Sequence, residues 1–289
     1  MRDLTSPAAV RALLLERGIR PRKRLGQNFL VNPGVLEKII TAAEIEPADT
    51  VVEIGPGVGA LTRRLAQKAG KVLAVEVDGV LVSLLKDVLS GYPNVSLLHA
   101  DALKIDFEAV VAEAGGTFPY KVVANLPYYI TTPLLIRLLD SGLRVRLMVL
   151  MVQREVGMRA VARPATKEYG ALSVFIQYRT KADLVAPVSR GSFFPVPEVD
   201  SAILRLVVRS EPPVVVPSEE LLFRIVRASF AKRRKTLLNA LSGSNLGLDR
   251  DAWGLCLARA GIDPERRGET LTLEEFAAIA RSLGPELKE

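Results

Sequence analysis

The sequence predicts an α/β protein in which a doubly wound, mostly parallel sheet is followed by a small all-α domain. Three observations lead there. Short apolar runs alternate with helix-length segments through the first two-thirds of the 289 residues, the pattern of βαβ units. The first of those strands runs into Glu53-Ile54-Gly55-Pro56-Gly57-Val58-Gly59, a glycine turn that opens a helix. After Glu211-Pro212-Pro213, where the prolines break any regular element, no further strand is apparent.

In order, strands are expected at 50–54, 71–77, 95–100, 121–125, 145–152, 172–178 and 202–208, with helices such as 59–68 and 80–89 between the early ones. Ser218-Glu219-Glu220 then reads as a helix start, followed by Leu221, Leu222, Ile225, Val226 and Phe230 at helical spacing and continued by Leu237, Leu238 and Leu241. Thr272-Leu273-Glu274-Glu275 begins a last helix over 276–283. The expected domains are therefore 1–210 and 211–289.

Composition narrows the chemistry. The single cysteine, Cys256, excludes an intramolecular disulfide, and with one histidine, His99, neither a Cys/His zinc cluster nor a two-histidine zinc site can be built. No metal is expected. The apolar run 147–152 is far short of the ~20 residues of a membrane helix, and charges interrupt the N-terminal apolar residues, so a cytoplasmic protein without a membrane partner is expected. An Arg-rich, partly amphipathic stretch at 1–24 leaves a transit peptide open. The net charge of +7 is unevenly spread. Residues 1–30 carry seven basic against two acidic residues, 137–163 carry six against two, and from Glu211 onward the signs cancel. Two basic clusters flanking the motif-bearing region suit a polyanionic partner.

The motifs favour a methyl donor over a dinucleotide. The loop reads GxGxG rather than GxGxxG, and Glu53 just ahead of it adds negative charge where a pyrophosphate would have to sit. S-Adenosylmethionine carries a sulfonium and an ammonium and no phosphate. Glu76, ending the second strand, can accept from ribose hydroxyls, and Asp101, after the third, from an adenine amine. The fourth strand ends in Asn125-Leu126-Pro127-Tyr128. An exocyclic amine is a poor nucleophile because its lone pair is delocalised, and acceptors on its N–H groups restore it. The Asn125 side-chain oxygen and the Leu126 carbonyl suit that role, with Pro127 fixing the backbone and Tyr128 stacking on a flipped base. Phe193, in Phe193-Phe194-Pro195-Val196-Pro197, is the expected second wall of a base clamp, with Phe194 in the core.

On these residues the chain resembles the KsgA family of ribosomal RNA adenine dimethyltransferases. The matching blocks are Gly26-Gln27-Asn28-Phe29-Leu30, the glycine loop, Glu76, Asp101-Ala102, the Asn125 tetrad, FFPVPEVDS at 193–201 and FAKRRKTL at 230–237. The resemblance implies a Rossmann-like methyltransferase domain with a seven-stranded sheet, then a small helical domain. It implies dimethylation of N6 on two adjacent adenosines in the 3′-terminal hairpin of 16S rRNA, late in small-subunit assembly, by a monomer. It implies that Asn28 and Leu30 line the donor's methionine end. The donor set is then Gln27, Asn28, Leu30, Glu53, Gly55, Gly57, Glu76, Val77, Asp101, Ala102 and Asn125, and Asn125, Leu126, Pro127, Tyr128 and Phe193 carry the transfer. Arg22, Lys23, Arg24, Arg154, Lys232, Arg233, Arg234 and Lys235 are expected on the rRNA, whose binding should weaken steeply with salt. Tyr129 and Glu198 depart from the family pattern at positions that could contact RNA. The alternatives are an Erm-type enzyme of the large subunit, a protein glutamine methyltransferase and a non-catalytic ribosome-assembly factor.

Overall fold

The computed structural model describes residues 3–139, 142–232 and 234–283. The chain divides into two compact units, Met1–Gly157 with Lys181–Val208, and Met158–Thr180 with Arg209–Glu289. Its strands are β1 (Phe29–Leu30), β2 (Thr50–Ile54), β3 (Lys71–Glu76), β4 (Val95–His99), β5 (Tyr120–Asn125), β6 (Val145–Gln153), β7 (Thr180–Val188), β8 (Phe193–Phe194) and β9 (Ser201–Val208). Its helices are α1 (Pro7–Glu16), α2 (Pro33–Ala43), α3 (Ala60–Ala66), α4 (Gly79–Val88), α5 (Phe107–Glu113), α6 (Thr131–Leu138), α7 (Arg154–Val161), α8 (Ala171–Arg179), α9 (Glu219–Phe230), α10 (Leu237–Ser242), α11 (Arg250–Arg259) and α12 (Leu273–Ser282). Among the described residues, no helix is long and apolar enough to cross a membrane.

In the first unit seven strands form one sheet in the order β4-β3-β2-β5-β6-β9-β7, while β1 and β8 pair separately and antiparallel. Strands β4 to β6 are parallel in that order, and β9 lies antiparallel to β6. The β2 sequence TVVEI is buried throughout, as a strand with neighbours on both sides and helices on both faces should be. The chain leaves β2 outward to β3 and β4, then returns to β5 on the other side of β2. That reversal opens a crevice at the carboxyl ends of β2 and β5. Helices bracket it through side-chain caps: Asn32 accepts from Val35 N–H at the start of α2 (3.2 Å) and Asp78 from Val80 N–H at the start of α4 (3.0 Å).

Six of the seven expected strands form. The run 172–178 is the exception: it lies within helix α8, and the missing strand is β7. Seven mostly apolar residues fit either period. The Ser173 hydroxyl accepts the Gly170 N–H (3.1 Å), and Val174 and Tyr178, one helical turn apart, both enter the core of the second unit. Strand β7 was obscured by Lys181, Asp183 and Pro187, and proline is tolerated there because β7 is the sheet edge. For the same reason 158–180, expected within the first domain, joins the second unit: Ala162, Tyr169, Val174 and Tyr178 pack with Leu222, Trp253, Leu257 and Phe276.

Among the described residues, the regular elements of the second unit are helices apart from its share of β7. Ser218 caps α9 through Leu221 N–H (3.2 Å), and Thr272 and Glu275 cap α12 reciprocally. Helix α9 stops at Phe230 and α10 restarts at Leu237 behind a Thr236 cap.

Beneath the sheet, at its amino edge, the Lys121 side chain is 3% exposed with Nζ 2.8 Å from Asp49. It also donates to the carbonyls of Ala43 (2.9 Å) and Glu44 at the end of α2, while Arg146 pairs with the other oxygen of Asp49. Burial would raise the Asp49 carboxyl. The hydrogen bonds from Lys121 and Glu46 N–H and the two cations outweigh it and hold the carboxyl below its ordinary value. Asp49→Asn, which strands a buried ammonium, should lower the unfolding free energy by about 3–5 kcal/mol, read by urea denaturation at pH 7. Because the folded carboxyl titrates below the unfolded one, the contribution is complete above the unfolded value and fades as pH falls through the folded one. The gap between variant and wild type should therefore narrow in acid, and a gap independent of pH would contradict this account.

Candidate active site

A single pocket gathers the carboxyl ends of β2, β3, β4 and β5 under an N-terminal arm, residues 25–30. The glycine loop enters it with positive φ at Gly55 (69°) and Gly57 (60°), a conformation glycine adopts freely. A Cβ on Gly57 would lie 2.9 Å from the Phe29 ring, so loop and arm touch closely there. Three acids line the pocket. Glu53 is 1% exposed, its Oε2 has no hydrogen-bond partner, and burial pushes its carboxyl up to about 8, against a lowering contribution from Thr62 and with a raising one from the Glu76 charge. Glu76 is raised by burial too, although it accepts from Asp78 N–H at 2.9 Å. Asp101 is more open, accepting from Leu103 N–H (2.9 Å) with Lys104 at 3.8 Å.

This lining fits a cation bearing an adenosine. A buried carboxyl with an unpaired oxygen gains from a positive charge, whereas a pyrophosphate would meet three acidic groups. Val77 and Ala102 supply apolar flanks.

On the other side lies the tetrad. The Asn125 Nδ2 donates to the Asn28 carbonyl (3.0 Å), which assigns the amide nitrogen to the arm and leaves Oδ1 as the acceptor for a ligand. The Pro127 carbonyl accepts from Ile130 N–H (3.2 Å) and the Thr131 hydroxyl (3.1 Å), pinning the turn. The Tyr128 hydroxyl lies 2.8 Å from Ser201 Oγ at the start of β9, so the ring is held at both ends while lining the pocket. Burial raises its phenol, with Ser201 acting oppositely.

Of the expected residues, Gln27, Asn28, Leu30, Glu53, Gly55, Gly57, Glu76, Val77, Asp101, Ala102, Asn125, Leu126, Pro127 and Tyr128 all line this pocket. Phe193 does not. It is 2% exposed and lies in the core, because β8 pairs with β1 and sets Phe193 opposite the buried Leu30. Phe194 is the more open of the two, the reverse of the expectation.

The basic residues divide. Arg22 is spent on an ion pair with Asp78 (2.9 Å). Arg24, Arg154, Lys232, Arg234 and Lys235 are exposed; Arg233 and the Lys23 side chain lie outside the described residues. Within the second basic cluster, Arg137 donates to the Ile105 carbonyl, Arg144 pairs with Glu108 (2.6 Å) and lies 3.5 Å from the centre of the Phe118 ring, and Arg146 pairs with Asp49. Much of that charge is consumed internally. Several lining residues, Leu25 and Ile130 among them, were not among the expected site residues, and Tyr129, named only for an RNA contact, lines the pocket and is 52% exposed. Tyr129 directly follows the tetrad, which was the available signal.

A family model described as ribosomal RNA adenine dimethylase matches residues 18–283. "Ribosomal RNA small subunit methyltransferase A" of Pelotomaculum thermopropionicum is 54% identical over 285 residues, 96% of this chain and 97% of that one. Its namesake in Moorella thermoacetica is 54% identical over 288 residues, 98% and 99%. Among solved structures, a dimethyladenosine transferase from Plasmodium falciparum superposes with a TM-score of 0.73 at 27% identity, covering 86% of this chain and 94% of that one. The 23S rRNA methyltransferase ErmE gives 0.68 at 28%, covering 89% and 99%.

With its carboxyl at about 8, Glu53 is mostly protonated at pH 7, and a bound cation favours the ionised form. Binding of S-adenosylmethionine at pH 7 should therefore release a proton. Calorimetry in two buffers of different ionisation enthalpy reads it, and Glu53→Gln should abolish it. Equal heats for the wild type in both buffers would contradict the assignment.

Proposed function

The chain belongs to the ribosomal RNA adenine dimethylase family, and from that premise we propose that it adds two methyl groups to N6 of each of two adjacent adenosines in the 3′-terminal hairpin of 16S rRNA, acting as a cytoplasmic monomer on the immature small subunit. It is an S-adenosylmethionine-dependent methyltransferase of rRNA. The observation that carries the mechanism is the Asn125–Asn28 hydrogen bond, which turns the Asn125 oxygen into an acceptor beside the acid-lined pocket.

When bound, the donor supplies a methyl group on a cationic sulfur. The protein's own residues do the rest. Glu76 takes the ribose hydroxyls and Asp101 the adenine amine, while Asn28 and Leu30 flank the methionine end and Gly55 admits it close to the backbone. Asn125 Oδ1 and the Leu126 carbonyl accept from the target amine and draw its lone pair out of the ring. Tyr128, its hydroxyl tied to Ser201, offers a ring for the adenine to stack on, a contact worth roughly 1–3 kcal/mol. The exposed Arg24, Arg154, Lys232, Arg234 and Lys235 are the proposed phosphate contacts, with salt-dependent affinity. The relatives at 54% identity are named for the small subunit, and ErmE, at 28%, for 23S rRNA; the small subunit is the better-supported substrate.

Labelled S-adenosylmethionine with small subunits lacking the modification should yield dimethyladenosine at two adjacent positions near the 3′ end. Asn125→Ala should cut turnover by at least about a hundredfold, on the scale of losing one transition-state hydrogen bond, while S-adenosylhomocysteine still binds. Label confined to large-subunit rRNA in a parallel reaction, or undiminished turnover by Asn125→Ala, would overturn the proposal.

A further inference from the structure

We propose that Asp78 is a positioning residue for the donor: it latches the N-terminal arm across the pocket, and the same latch aims Asn125. The inference rests on the donor reading above and adds a residue and a route to it. Asp78 is 3% exposed at the start of α4, two residues beyond Glu76. Each of its carboxylate oxygens takes a different arm residue. Arg22 Nη1 donates to Oδ1 (2.9 Å), and Gln27 Nε2 donates to Oδ2 (2.8 Å). The two arm residues are tied to each other as well, because Arg22 N–H donates to Gln27 Oε1 (2.7 Å).

The latch has two outlets. One runs into the pocket floor: Asp78 N–H donates to Glu76 Oε1 (2.9 Å), so the carboxylate that holds the arm belongs to the residue whose amide orients the ribose acid. The other runs along the arm. Gln27, fixed by Asp78, precedes Asn28, whose carbonyl accepts the Asn125 amide (3.0 Å). On the far side Gly26 lies against the tetrad, where a Cβ would sit 3.5 Å from Pro127 and from Tyr129. The arm thus spans from Asp78 to Tyr129 with the pocket beneath residues 25–28. Oδ1 is shared between Arg22 and the Val80 N–H of the helix cap, whereas Gln27 is the partner of Oδ2; freeing the arm would remove the cation and leave that buried Oδ2 without its amide, at a desolvation cost. Charge reading alone gave Arg22 to rRNA; the geometry gives it to the donor.

The test uses the full chain and S-adenosylhomocysteine as the probe. Arg22→Gln alters a half-exposed side chain and leaves the Asp78 cap intact; Asp78→Asn removes the charge but keeps a good helix cap. Both should weaken S-adenosylhomocysteine by about tenfold in calorimetry, and the double variant should be no weaker than Asp78→Asn alone, because the two act as one unit. S-Adenosylhomocysteine should slow tryptic cleavage after Lys23 and Arg24 in the wild type but not in Asp78→Asn, a difference that equal thermal stability of the two proteins would separate from unfolding. Wild-type probe affinity in both variants would overturn the latch. So would an Arg22→Gln protein that keeps its probe affinity yet binds small subunits more weakly with a shallower salt dependence, since Arg22 would then be a phosphate contact. A wild type that fails to bind the probe at all would overturn the donor reading and the latch together.

Discussion

Strand β2 pairs in parallel with β3 on one side and β5 on the other, and everything functional hangs from that double pairing. The chain crosses from β2 to β3 and β4 on one side and then returns to β5 on the other, so β2 is the strand at which the order reverses. The helices that make those crossovers diverge at its carboxyl end, and the gap between them is the pocket. Because β2 is wholly buried, Glu53, its penultimate residue, is buried as well. Glu53 carries a carboxyl without a second partner because the topology puts it there.

The site separates two kinds of charge. The pocket lining is acidic, with Glu53 and Glu76 raised by burial. Such a lining discriminates through the cost of keeping carboxyls buried, which a cation relieves and a phosphate compounds. The net positive charge of the protein lies elsewhere, on exposed side chains such as Arg154, Lys232, Arg234 and Lys235. A cationic donor and a polyanionic acceptor can therefore be served by one chain without competing for the same groups. Asn125 lines the same pocket, its amide tied to the Asn28 carbonyl of the arm.

Basic residues that are neighbours in sequence have unrelated fates in space. Arg137, Arg144 and Arg146 satisfy a carbonyl, a surface carboxylate with an aromatic face, and a buried ion cluster, whereas Arg154 stays exposed. Phe193 and Phe194 are adjacent, yet pairing of β8 with β1 sends the first into the core. In each case the deciding partner is remote: Asp49 lies 97 residues from Arg146, and Leu30 is more than 160 residues from Phe193.

Features that depend on local period and local chemistry were legible in the residues alone. The alternation of strand and helix, the glycine turn after β2, the caps at Ser218 and Thr272, the acids at or near the ends of β2 and β3 and after β4, and the Asn125 tetrad all sit within one element or one turn, and the parallel topology brings such strand ends to one edge whatever the details. Tertiary structure decided the rest. The apolar run 172–178 is compatible with both periods, and its helical state came from a core built by α9 to α12. The burial of Phe193, the spending of Arg22 on Asp78 and the orientation of the Asn125 amide each depend on a contact between distant segments. Composition and spacing carry no record of such contacts, because a side chain's partner is chosen by the packing that brings it near.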